Sequence, residues 1–382
     1  MKIEFHLLQN FSPSCLNRDD TNTPKNCLFG GVRRARVSSQ CLKRAIRVHM
    51  RDHYGIPTGR RTRRLAEVVA RRLEAEGFDH QQVVERTVIA LDAIGFKADD
   101  GERTQVGLYL APSEINRLTD AVREDWDRLI APSADAAPAD KSATGKKAPK
   151  GKAGGKEKAD APHVMAAAKS IQSTVDAADI ALFGRMVAEA THMKVDAASQ
   201  VAHAISTHAA EQEFDYFTAV DDEQPEGDPG AGMLGLVGYQ SACFYRYALI
   251  DRDQLIHNLG GDTAAADAAI LGFFHSSVEA IPSARQNGSA AHNWPDYVML
   301  RARARTPLSL ANAFERPVRI SHASPNLVDG SIGSLEQYRG QLQTMYGDLG
   351  GKTFRSCTRA EYADGSIAEM EAWLQEILGA RG

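Results

Sequence analysis

Thirteen Arg and Lys residues crowd the stretch from Arg33 to Arg72 against only Asp52 and Glu67, a local net charge of +11. Most are arginines, whose planar fork of donors matches phosphate oxygens better than the point charge of lysine does. In a chain whose overall net charge is −4, a patch this dense is chemistry for a polyanion. The opposite extreme runs from Ala209 to Gly232, with eight carboxylates and no Lys or Arg. Asp19 and Asp20 are the one carboxylate pair near the basic block. A Mg²⁺ ion held there beside a phosphodiester would make the chain a metal-dependent ribonuclease. Other catalytic signatures are missing. There is no Gly-x-Gly-x-x-Gly after a strand, no phosphate-binding Gly-x-x-x-x-Gly-Lys-Ser/Thr and no His-Glu-x-x-His. His203 and His208 are spaced i, i+5, on different faces of a helix. Gly347, Gly350, Gly351 and Lys352 suit a phosphate cradle or a C-terminal turn equally. The five cysteines include no Cys-x-x-Cys pair, which argues against a thiolate metal site and for a reducing compartment. The expectation is a chain without cofactor or metal.

The elements that must carry these residues can be read in outline. Ile3, Phe5 and Leu7 alternate with their neighbours, the pattern of an opening strand. Asn10 to Gly31 has the Ser, Pro, Asn, Asp and Gly content of a long loop, and loops of that length usually carry function. A short strand over Val32–Val37 precedes a helix capped by Ser38 or Ser39 and reaching about His53. On a helical wheel, Leu42, Ala45, Ile46 and Met50 share one face, and Lys43, Arg44, Arg47 and Arg51 share the next. One face packs while the adjoining face is cationic. Apolar spacing makes 60–130 mostly helical, and 197–209 also reads as helix. Phe214–Val220, Cys243–Ile250 and Tyr297–Arg303 read as strands, 224–230 as a turn, and 255–258, 264–280 and 367–378 as helices.

A chain of 382 residues, 43% hydrophobic and 25% charged, is long enough for two or three globular domains. No segment has the layout of a signal peptide or the apolar length of a membrane helix, so a cytoplasmic protein without membrane contact is expected. Residues 131–162 hold ten Ala, seven Lys, four Pro and four Gly, with no aliphatic residue larger than Ala and no aromatic. Such a segment buries too little to offset its ordering entropy, and it is expected to be disordered. Strand and helix pieces on both sides of a helical excursion give an α+β fold class.

Several blocks carry a resemblance to a known family: Ser12–Asp20, Phe29–Gln40 with Leu42–Ala45, Asp179–Met186, His203–His208, Asp215–Asp222, Phe244–Ala248 and Pro307–Glu315. In collinear order they resemble the backbone subunit of the type I-E CRISPR surveillance complex Cascade (CasC family, RAMP superfamily). The resemblance implies a hand-like architecture. An RRM-like (ferredoxin-like) palm would be formed by 1–58, 171–200 and 241–382, helical fingers by 59–170, and a thumb hairpin by 201–240. It also implies a non-enzymatic subunit that oligomerises along CRISPR RNA and presents the guide to target DNA. Its partners would be further copies of itself, other Cascade subunits and a recruited nuclease-helicase. The site residues expected on RNA are Arg18, Lys25, Ser38, Gln40, Lys43, Arg44 and Arg47, with Met186 wedged at a kink in the guide. The acidic block would face the next subunit, leaving Gly230–Tyr239 nearest the RNA. The competing expectation is target-RNA cleavage through Asp19 and Asp20.

Overall fold

The computed structural model describes residues 1–99, 103–130, 161–171, 175–186, 193–219, 233–303, 306–322 and 325–380. The turn expected at 224–230, the carboxylates from Asp221 to Asp228 and residues 131–160 of the insert lie outside the described residues. The chain divides into two compact units, Met1–Pro57 with Ala197–Gly382, and Thr58–Asp196. The first opens with β1 (Lys2–Ser14), β2 (Asn26–Phe29), β3 (Val32–Val37) and α1 (Ser39–Tyr54). The second holds β4 (Arg60–Thr62), α2 (Leu65–Glu74), α3 (His80–Ala93), β5 (Ala98–Asp99), β6 (Arg103–Thr104), β7 (Leu108–Leu110), α4 (Pro112–Glu124), α5 (Pro162–Ser170) and α6 (Ala178–Phe183). The first unit resumes with β8 (Ser199–Val201), β9 (Ala204–Ser206), β10 (Glu213–Ala219), β11 (Met233–Asp251), α7 (Arg252–Asn258), α8 (Thr263–Glu279), α9 (Gln286–Ser289) and β12 (Tyr297–Arg303). It ends with α10 (Leu327–Tyr346), β13 (Lys352–Cys357) and α11 (Ile367–Gly379).

One antiparallel sheet organises the first unit, in the order β13-β12-β1-β11-β9-β3-β2, with β10 and β8 also paired to β11. Its central strand β1 is buried continuously from Ile3 to Leu8. On one face, Phe5 meets Phe273 of α8 edge-on at 5.1 Å. On the other, Leu8 joins Ile332 and Leu335 of α10. The polar residues between them are also covered. Glu4 faces Arg303 and Arg301 at 3.8 and 4.0 Å, and burial still holds its carboxyl above the usual range. His6 meets the Tyr245 hydroxyl at 2.9 Å, and burial pushes its pKa down to about 3. The second unit is built mainly on α2, α3, α4 and α5, whose Leu65, Val69, Leu73, Val83, Ile115 and Leu118 form one core.

Two sequence expectations need correction. The stretch 197–209 is not helix: β8 pairs with β11, and β9 lies between β11 and β3. Ser199, Ala204 and Ser206 are buried in these strands, and pairing with ready strands overrides the helical propensity of the run. Nor is 10–31 one continuous loop. β1 runs on to Ser14, and β2 joins β3 in a hairpin whose two-residue turn is Gly30–Gly31, at φ 59° and 75°. Only glycine takes that turn without strain, and a Cβ on Gly30 would fall 1.8 Å from the Glu315 carbonyl oxygen.

Arg34 locks this hairpin. Its side chain is fully buried, and its guanidinium donates to five carbonyls: Phe29 (3.3 Å), Ser206 (3.2 Å), Thr207 (2.9 Å), Phe314 (2.7 Å) and Glu315 (3.1 Å). Three chain segments are thereby tied to one cation. Replacing it would strand buried acceptors, so Arg34→Met is expected to cost about 3 kcal/mol. The exposed neighbour Arg33→Ala should stay within about 0.5 kcal/mol of wild type. Urea midpoints read both, and equal shifts would contradict the latch.

Candidate nucleic-acid interface

Helix α1 forms as its wheel required. Leu42, Ile46 and Met50 are buried, Ser38 caps the N-terminus and Gly55 closes the C-terminus in the left-handed region at φ 61°. The apolar stripe packs on α8. Met50 lies by Gly272, where a Cβ would come within 3.6 Å of its methyl, and Tyr54 donates to Glu279 at 2.8 Å. His49 meets Ser276 at 3.1 Å. With that side anchored, Gln40 and Arg44 are exposed and Lys43 and Arg47 half-buried. Burial lowers the Lys43 pKa. Arg51 is drawn into an ion pair with Asp52 at 2.7 Å.

The first turn of α1 has its donors assigned in detail. Ser38 is only 6% exposed, and its Oγ accepts the Cys41 N–H at 3.4 Å while its own N–H goes to the Asn17 side chain at 2.9 Å. It shapes the helix end from beneath. The Ser39 N–H donates to Nδ1 of His203 at 3.0 Å. The Gln40 N–H has no acceptor among the described residues and stands at the positive end of the helix.

Around this turn the structure brings together residues from three segments. The Cys41 thiol is pushed up by burial and pulled back by Lys25 and Arg44, so both cations lie near it. His203 has its pKa lowered by burial first, then by Arg36 and Lys25. Lys25 is positioned by the backbone, its N–H on Asn17 O and its own carbonyl on Arg36 N–H. Lys25 and Arg44 thus act on Cys41, and Lys25 and Arg36 on the His203 ring that holds the Ser39 amide, so these side chains gather at the first turn of α1, where the Gln40 amide is open. The wheel could find Arg44 alone; His203 and Arg36 arrive through strand pairing of β9 with β3. Arg18 stands apart, facing Cys15 together with Arg285.

Asp19, the first of the carboxylate pair, is engaged within its own turn. Asp19 accepts from the amides and hydroxyls of both Thr21 and Thr23, at 2.7 to 3.1 Å, and these bonds hold its pKa low. The carboxylate is the pin of its own turn, and among the described residues no group of three or more His, Cys, Asp and Glu side chains is placed to hold a metal ion. Gly347, Gly350 and Gly351 form a turn at φ 73°, 67° and 89°, with the carbonyls of Leu349 and Gly350 accepting from Arg303 and Arg301.

Met186 belongs to the second unit and is 90% exposed. Its neighbour does the anchoring. Arg185 is 3% exposed, pairs with Glu114 at 2.6 Å and donates to Met193 O at 2.7 Å. Gly184, at φ 80°, supplies the bend that sends the two side chains apart. A core role for Met186 is thereby excluded.

Residues 3–378 match the CT1975-like protein family. The chain belongs to that family. Among solved structures, it resembles a chain of a "CRISPR RNA-guided surveillance complex, pre-nicking" with TM-score 0.80 and 28% identity, covering 100% of both chains. A chain of a second "CRISPR RNA-guided surveillance complex" shares the fold, with TM-score 0.73 and 24% identity over 100% of both. No match was found among curated proteins. None of the described helices is long and apolar enough to cross a membrane.

The His203 geometry has a pH signature. With Nδ1 accepting from Ser39, the ring is neutral and carries its proton on Nε2. The depressed pKa means that this bond is intact at neutral pH and breaks only as pH falls through a value below 6.5. NMR titration should give His203 a pKa under 6.5 and a Ser39 amide shift that follows the same curve. A His203 pKa at or above 6.5 would contradict the assignment.

Proposed function

We propose that this chain is a non-enzymatic backbone subunit of a type I-E CRISPR surveillance complex, tiling along CRISPR RNA. The observation that carries the reading is the gathering of Lys25, Arg36, Arg44 and His203 at the first turn of α1, where the Gln40 amide is open. Cations, a neutral imidazole donor and a helix N-terminus together suit phosphodiester oxygens. Whole-length similarity to a chain of a CRISPR RNA-guided surveillance complex supports a CRISPR RNA as the strand held.

The cationic edge of α1 at Lys43, Arg44 and Arg47 offers no aromatic on which a base could stack, so contacts fall on the RNA backbone and base edges stay open for target DNA. Lys43, Arg44 and Arg47 follow the strand along α1, the Gln40 side chain and its own open amide receive a phosphate, and Lys25 and Arg18 extend the grip. Met186, flexible and apolar, presses on the guide without reading its identity. In this reading the first unit is an RRM-like palm with the β10–β11 hairpin as thumb, and the second unit supplies the fingers. Further copies, other Cascade subunits and a recruited nuclease-helicase complete the assembly, and cleavage belongs to that nuclease.

The triple variant K43A/R44A/R47A tests the grip. Each phosphate contact on a single strand contributes about 0.7 to the slope of log K against log salt, so the slope should fall by about 2. RNA binding with unchanged affinity and slope would overturn the assignment.

A further inference from the structure

A groove of about 640 Å³ is lined where the end of β1 and the Arg18 loop meet the base of the β10–β11 hairpin and the α9 turn. Arg18, Arg285, Asp215, Tyr239, Gly238 and Ser289 are among its lining residues. Arg18 and Arg285 converge there, for both draw down the Cys15 thiol that burial pushes up. Neither guanidinium has an ion pair among the described residues. Asp215 borders the same space without pairing to either, so the groove holds two cations and one anion apart.

The walls are built with some strain. Arg285 and Ala290, on either side of α9, sit at φ 53° and 46°, which non-glycine residues rarely adopt. The Gln286 side chain fixes that turn, donating to Pro282 O at 3.1 Å and accepting the Ala291 N–H at 2.8 Å. Opposite, the Tyr239 hydroxyl donates to Glu213 at 3.3 Å, which sets the ring. Gly238 allows the hairpin to close on the loop, since a Cβ there would be 2.9 Å from Pro24 Cδ. Pro24 is in turn the backbone partner of Arg18.

A ligand for this groove must offer an anion to the arginines and a hydroxyl or amino donor to Asp215. A carboxylate peptide supplies the anion, but its donors are not held at a fixed place beside it. A ribonucleotide satisfies both demands, because its phosphate and its 2′-hydroxyl are carried on one sugar. Asp215 is exposed, so beside a deoxyribonucleotide it is met by water, and the preference for RNA is the one charge-assisted hydrogen bond that the 2′-hydroxyl adds. We propose that this groove seats one ribonucleotide of the bound strand, its phosphate between Arg18 and Arg285, its ribose 2′-hydroxyl donating to Asp215 and its base against Tyr239. The inference rests on the RNA-binding reading above and makes Asp215 the residue that distinguishes RNA from DNA.

The test uses the full chain freed of nucleic acid and one labelled single-stranded sequence made as RNA, as DNA and as 2′-O-methyl RNA. Wild type should prefer RNA over both analogues. R285A should weaken all three about tenfold and lower the salt slope by about 0.7, and R285K should restore the slope. D215A should bring RNA affinity down to that of DNA, so the ratio between them collapses. A preserved RNA-to-DNA ratio in D215A, or an unchanged slope in R285A, would overturn the proposal. Should K43A/R44A/R47A lose affinity while R285A and D215A do not, only the groove assignment fails. If none of the three variants alters binding, the RNA-binding reading itself fails.

Discussion

A single buried arginine, Arg34, sets the geometry on which the proposed RNA face depends. A guanidinium in a dry interior must have its donors met, and no carboxylate among the described residues does so. Five carbonyls from the β2–β3 turn, the end of β9 and the segment at 314–315 take that part. Such an arrangement tolerates little displacement, because moving any one segment exposes a cation to an unmatched site. The hairpin is therefore held where β3 pairs with β9, and β9 is preceded by His203, whose ring reaches the first amide of α1. The latch also explains why the basic block is not uniform: one of its arginines faces inward so that the others have a fixed platform.

What the sequence disclosed follows from how local each signal is. The α1 wheel worked because one stripe packs on a neighbouring helix and the other does not, a division visible within 16 residues. The opening strand was legible through Ile3, Phe5 and Leu7. Its burial on both faces was not, since Glu4 and His6 look like solvent-facing residues until α10 and Arg301 cover them. Helix α10 itself was missed. Gly330, Gly333 and Gly340 depress its propensity, and only packing of Val328, Ile332 and Leu335 makes it helical. The run 197–209 failed in the opposite direction, with small residues drawn into strand pairing with β11 and β3.

The candidate site shows the same division. Lys25, Gln40 and Arg44 could be named from charge and capping, and the fold gathers them. His203 could not, because nothing in the spacing of 203 from 39 announces that a ring nitrogen will accept a helix amide. Asp19 shows what spacing leaves out: paired carboxylates near cations resemble a metal site, and Thr21 and Thr23 two and four residues on bond this carboxylate within its own turn. Met186 was legible only through resemblance, and the structure adds the buried Arg185–Glu114 pair beside it.

A subunit that grips backbone through fixed cations and a helix end reads length rather than sequence, and copies should add along a strand as long as strand remains. Native mass spectrometry of the purified chain on single-stranded RNAs of increasing length measures this directly. The account predicts complexes whose copy number rises stepwise and in proportion to RNA length, irrespective of base sequence. One copy per RNA at every length would contradict it.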